Sequence, residues 1–317
     1  MLATAMAPQQ ALYAPLYAPL AKVFDRDAHP LVTAGKQRNV ILDWLFYDIG
    51  NLTPSEYLAL LNETNREGSI LVVWPTGARG DLGVRKFDDH AALRAAPGDL
   101  LTRFAIAGVG SSDLGAASFA RSVANRYGEP VGAIVAGYGV ADLLGEAIGG
   151  WFVLGAANRL MKAYHDALDE HDVLAALTLQ QAVNSDERQA LEPVAGGSDT
   201  ATLLRLLLDD DRKVASVAGH SKGSLSIAYA LEGLALTRKR TAVARAKRMR
   251  VTTLGAVVEP PRSFSNLGQY LGALDWFGGL NSEFGVAHET EPMAWHHLNS
   301  LIPLHMDVAD ILRREPD

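Results

Sequence analysis

Short apolar runs alternate along the chain with longer stretches in which apolar residues recur every three or four positions. The runs read as strands and the amphipathic stretches as covering helices. Strands are expected at "NVILDWLF" (Asn39 to Phe46), "SILVVWP" (Ser69 to Pro75), "LTRFAIAGVG" (Leu101 to Gly110), "PVGAIVAGYG" (Pro130 to Gly139), "RKVASVAGHS" (Arg212 to Ser221), "RVTTLGAVV" (Arg250 to Val258) and "GQYLGALD" (Gly268 to Asp275). Between the first two, Thr53, Pro54 and Glu56 form a capping-box start for a helix through "TPSEYLALLNETN". Thr76 to Gly98, rich in Gly, Asp and Arg, reads as loop with a short helix. Further helices are expected at "SSDLGAASFARSVANRYG", where Gly128 marks the end, from about Val140 to Val183, at "KGSLSIAYALEGLALT", and at the terminal "MDVADILRR". Residues Asn184 to Thr200 read as a loop. This alternation predicts an α/β chain with a mainly parallel central sheet and helices on both faces. It divides into an N-terminal arm over 1–38 and one α/β domain over 39–317, with 140–203 a helical cap or lid inserted before the strand that leads to Ser221.

Composition narrows the chemistry. The 317 residues are 48% hydrophobic and 21% charged, enough for one large core. A net charge of -7 argues against a nucleic-acid partner, and the one basic cluster, "TRKRTAVARAKRMR" (Thr237 to Arg250), reads as a solvated helix end and loop. With no cysteine, thiol nucleophiles, disulfides and cysteinyl metal sites are excluded. The N-terminus, with its doubled "LYAP", lacks a basic region and is interrupted by Pro8, Pro15 and Pro19, so it makes a poor signal peptide and a cytoplasmic location is expected. The apolar stretch from Ala147 to Ala157 is too short to span a bilayer, and no transmembrane segment is expected.

The strand ending at Ala218 and the helix beginning near Ser224 flank Gly219-His220-Ser221-Lys222-Gly223. A serine in a tight strand-to-helix turn, with glycines where the two backbones must pass closely, is a nucleophile elbow. These residues resemble the α/β-hydrolase superfamily, and "GHSKG" is similar to the elbow of class-3 lipases and related bacterial esterases. The resemblance covers most of the chain from about Asn39 onward, but it is specific only at the elbow and in the order of elements around it. It implies an α/β-hydrolase fold with Ser221 as nucleophile on the fifth strand, followed in the chain by an acid and then a histidine. His220 is not expected to be the base.

A serine hydroxyl needs a histidine to take its proton and a carboxylate to orient that histidine. His305, immediately before the terminal helix, stands where this fold delivers its base; His296, His297 and His288 are the alternatives. Asp275, at the end of an apolar strand, is the first choice of acid, with Glu259, at the end of the preceding strand, as the alternative. Oxyanion donors are expected from the backbone of Lys222 and from the loop "GVGSSDLG", where Val109, Gly110 and Ser111 are candidates. Helix capping competes for Ser111 and Ser112.

The implied activity is hydrolysis of carboxylic esters, on small-molecule or lipid-like substrates, without cofactor or metal. Acyl transfer, thioester cleavage and polyester depolymerisation would use the same triad, and a catalytically silent scaffold acting as a binding module is the non-enzymatic reading. A dinucleotide reading of Gly108-x-Gly110 fails at the third glycine position, which holds Asp113 and would set a carboxylate against pyrophosphate. No His-x-x-x-His or His-Glu-x-x-His motif is present, and "HHL" and "HDALDEH", which hold metal-ligand residue types, read as solvated or packed faces.

Overall fold

The computed structural model describes residues 42–61, 66–98, 101–108, 111–136, 198–235, 237, 239–283 and 285–315. They belong to one compact unit built from 37–137 and 197–317. The expected arm over 1–38 and nearly all of the expected cap over 140–203 lie outside the described residues. The exception is the end of that cap: 198–203 opens a helix of the α/β unit itself.

Most elements follow the hydrophobic pattern; a helix over Ser198–Leu208 that begins inside the expected loop, a helix over Arg240–Ala246 in the basic cluster and a short strand over Glu289–Glu291 were not read, and there are three further departures. In chain order they are α1 (Pro54–Leu61), β1 (Ile70–Val73), β2 (Val84–Phe87), α2 (His90–Ala95), β3 (Arg103–Ile106), α3 (Asp113–Tyr127) and β4 (Val131–Ile134). After the undescribed segment come α4 (Ser198–Leu208), β5 (Ser216–His220), α5 (Lys222–Ala235), α6 (Arg240–Ala246), β6 (Arg250–Leu254), β7 (Leu267–Gly272), α7 (Trp276–Leu280), β8 (Glu289–Glu291) and α8 (Val308–Arg314). The capping box at α1 closes in both directions: Glu56 N–H donates to Thr53 Oγ1 at 3.2 Å, and Thr53 N–H donates to Glu56 Oε2 at 2.9 Å. Ser112 caps α3, and Gly128 ends it in the left-handed conformation.

The three further departures have physical causes. Residues 42–46 are helical rather than extended. Asp43 and Tyr47 are the buried positions there, one helical turn apart, with Trp44 and Leu45 exposed between them. A short apolar run does not distinguish a buried strand from one turn of helix. Strand β2 went unread because "VRKF" is half charged and lies at the sheet edge, where it is never fully buried. The short helix α7 carries Gly278 and Gly279, which mask its helical signal.

The eight strands run in the order β2-β1-β4-β3-β5-β6-β7-β8. Strand β1 is antiparallel to both its neighbours, and the six strands from β4 to β8 are mutually parallel. Alternate residues feed two separate cores. Leu71, Val73, Ala105, Ala133 and Ala218 join α3 and α8 on one face, while Ile70, Val72, Ile106, Ile134 and Val217 join α4, α5 and α6 on the other. The Val, Leu and Ile side chains among them each contribute roughly 2 kcal/mol on burial. The chain steps from β3 to β4 on one side and returns past β3 to β5 on the other, so the crossover direction reverses at β3 and β5. Carboxyl ends of strands at such a reversal leave a crevice for a ligand. Among the described residues no helix is long and apolar enough to cross a membrane.

Candidate active site

Ser221 occupies the turn between β5 and α5. Its φ is +52°, a left-handed conformation that a non-glycine residue adopts only when its surroundings hold it there. Two contacts do so: Ser221 N–H donates to Leu254 O on β6 at 2.8 Å, and Ser224 N–H donates to Ser221 O at 2.9 Å. The flanking glycines are demanded by space. A Cβ on Gly219 would lie 2.7 Å from Ser224 N, and one on Gly223 would collide with the Ile106 carbonyl of β3.

A single line of hydrogen bonds leads away from Ser221. Its Oγ lies 3.0 Å from His296 Nε2, and His296 Nδ1 lies 2.8 Å from Asp275 Oδ2. The carboxylate can only accept, so Nδ1 carries the proton of the neutral ring and Nε2 is the acceptor for the serine hydroxyl. Asp275 is fixed as the N-cap of α7, its Oδ1 accepting Gly278 N–H at 2.6 Å. One carboxylate thereby caps a helix and holds an imidazole. Phe277 and Phe46 present T-shaped contacts to the His296 ring at 4.8 and 5.8 Å between centroids. All three polar side chains of the line are buried.

The base position is a correction to the sequence reading. His305 does not occupy it; His296, held there as an alternative, is bonded to both Ser221 and Asp275. The chain between β8 and α8 folds back through Trp295 N–H to Leu304 O and Met306 N–H to His297 O, which sets His296 inward nine residues before His305. Adjacency to the terminal helix was the wrong guide, because a loop of this length can present its histidine from either end. His297 is buried and instead donates from Nε2 to Pro303 O at 3.2 Å; burial pushes its pKa down. His288 and Glu259 are both exposed. The His296 loop is anchored to the N-terminal turn: Leu298 N–H donates to Phe46 O, Asn299 Nδ2 to Trp44 O, and Ser300 to the Asp48 carboxylate.

Of the expected oxyanion donors, Lys222 and Ser111 are among the described residues. Lys222 opens α5, so its backbone N–H stands at the start of that helix, directly after Ser221. Gly110 and Val109 lie outside the described residues. Ser111 follows them and is buried, with no hydrogen-bond partner for its Oγ among the described residues. Ser112 takes the capping role.

Sequence reasoning assigned no function to Tyr47 or Asp43, and set His220 aside. All three are buried around this site. His220 lies against His296 with ring centroids 4.9 Å apart. Its place in "GHSKG" was the available signal; nothing in the sequence pointed to Asp43, inside a run that reads as a strand, or to Tyr47, just after it. Among the described residues no group of three His, Asp or Glu side chains is placed to hold a metal ion. No protein-family model, no curated protein and no solved structure matches the chain significantly.

Proposed function

We propose that the protein is a serine hydrolase of the α/β-hydrolase fold that cleaves carboxylic esters through an acyl-enzyme. The observation that carries this reading is the continuous Asp275–His296–Ser221 hydrogen-bond line, ending on a serine held in a left-handed turn at the carboxyl end of a central parallel strand. The mostly parallel sheet is compatible with that fold, and the chain order serine, acid, histidine is the one the resemblance implies.

The chemistry follows from the proton positions. Ser221 Oγ attacks the ester carbonyl carbon as its proton passes to His296 Nε2, and Asp275 stabilises the imidazolium and its orientation. The backbone N–H of Lys222, with donors from the loop that ends at Ser111, takes the negative charge on the carbonyl oxygen. His296 returns the proton to the leaving alcohol. Water, activated by the same imidazole, then attacks the acyl-enzyme and releases the carboxylic acid. A silent binding module is disfavoured, because it gains nothing from a buried acid and base aligned on a strained serine.

A fluorophosphonate probe tests the proposal. The intact protein should label and Ser221→Ala should not; an intact protein that never labels overturns the reading. His296→Ala should lower ester turnover by about 1,000-fold or more, whereas His305→Ala should leave it within a few-fold. p-Nitrophenyl esters of increasing chain length would then define the acyl pocket.

A further inference from the structure

A second hydrogen-bonded chain runs behind the triad. Gly108 N–H donates to Tyr47 Oη at 2.6 Å, Tyr47 Oη lies 2.9 Å from His220 Nδ1, and His220 Nε2 lies 2.8 Å from the main-chain oxygen of His296. Its polarity is fixed link by link. The His296 carbonyl can only accept, so His220 Nε2 bears a proton. Burial, with His296 and His297 nearby, pushes the His220 pKa well below 6.5. The ring is therefore neutral, and Nδ1 must accept. The Tyr47 hydroxyl, its oxygen already accepting from Gly108, supplies its hydrogen to that nitrogen, and burial raises the Tyr47 pKa so the hydroxyl keeps it. Each donor is matched to one acceptor.

The two ends of this chain are backbone groups beside Ser221 and in its histidine partner. Gly108 begins the loop leading to Ser111, and its backbone passes so close to Ser221 that a Cβ there would lie 3.2 Å from the serine Cβ. His296 is the base. From the geometry we infer that Tyr47 and His220 are positioning residues, which hold the Gly108 backbone and the His296 backbone at a fixed separation on either side of Ser221. This rests on the reading of Ser221, His296 and Asp275 as a catalytic triad. Neither residue touches the reacting atoms; their effect is exerted through the Gly108 N–H and the His296 carbonyl, and displacements near 1 Å at such groups cost about 100-fold in rate.

The test compares ester kcat and KM and the rate of fluorophosphonate labelling in intact protein, His220→Leu, His220→Gln and Tyr47→Phe, with thermal midpoints measured in parallel. His220→Leu should lower kcat by roughly 30-fold with KM within about threefold. Gln places an amide N–H near the position of Nε2 and should restore kcat to within about fivefold of the intact protein. Tyr47→Phe, which deletes one oxygen, should lower kcat by about tenfold and keeps the test open if the leucine variant does not fold. In combination with His220→Leu it should add less than its separate effect, because both break one chain. A kcat for His220→Leu within twofold of the intact protein, or equal losses for Leu and Gln, overturns the positioning role alone. An intact protein that neither labels nor turns over an ester overturns the triad and this inference together.

Discussion

The proton positions around Ser221 follow from which partners can only accept: the Asp275 carboxylate fixes one nitrogen of His296, and the His296 carbonyl fixes one nitrogen of His220. Asp43 poses the opposite problem, a buried acid among donors. It accepts from the Ser112 N–H and hydroxyl, and the Gly115 backbone also favours its charge, yet burial dominates and, with Asp113 beside it, pushes its pKa up to about 7. Lys86 is paired with Asp113 in the same region. Since an unfolded aspartate ionises near 3.8, the folded state holds a proton over the window from about 4 to 7 that the unfolded state has lost. Stability from this group therefore falls as pH rises through that window, by up to about 4 kcal/mol at 1.36 kcal/mol per unit. Urea denaturation of Asp43→Asn and the intact protein should show the variant gaining relative stability from about pH 5 to about pH 8, and a constant difference would remove this account. At this scale the sequence was half legible. Ser221 could be read because its glycines report a backbone constraint, and Asp275 because it closes the apolar run that contains β7. His296 could not be separated from His297 and His305, since spacing does not reveal which way a loop turns its side chains.

Elements place these atoms. Helix α7 is short, and its cap is also the proposed catalytic acid, which separates two effects of one carboxylate. Asp275→Asn should keep the cap on Gly278 and change stability by less than about 1 kcal/mol. It presents an amide to His296 and should lower kcat by about 10,000-fold through the wrong tautomer. Asp275→Ala should lose similar activity and a further ~1 kcal/mol of stability, read by denaturation. At the elbow, Gly223→Ala sets a methyl against the β3 backbone at Ile106, so β5 and α5 must separate. A loss of about 2–3 kcal/mol is expected together with loss of labelling in the molecules that remain folded. The hydrophobic pattern revealed β1 and β3 to β7 because each is an apolar run between turn residues. It hid β2, whose charges suit an edge, and mistook 42–46, where one helical turn and one short strand carry the same apolar content.

The described residues form a sheet with two cores, and helix α1 is tied to that sheet's helices by charge as well as by packing. Arg121 on α3 donates to Glu56 on α1 at 2.5 Å, both side chains fully buried, and Glu56 also accepts the Gly83 N–H ahead of β2. Removing one partner leaves a buried charge alone: Arg121→Met should cost about 3–5 kcal/mol in urea denaturation. Its labelling rate per folded molecule should be unchanged, because the pair lies outside the triad. Fold class was readable at this scale from alternation alone, whereas the pairing of β1 with β4 was not, since strand order depends on contacts between distant segments. The anchoring of the His296 loop belongs to that same class of contact. Asn299 meets Trp44 across 255 positions of chain and Ser300 meets Asp48 across 252, so closing these loops carries a large entropic cost that nearby pairings avoid. During refolding the sheet and its helices can form from closer neighbours, and the imidazole reaches Ser221 only once the first and last described segments have met. Catalytic competence is thus expected to be a late folding event, returning more slowly than helical signal in a refolding experiment, with the nucleophile in place before its base.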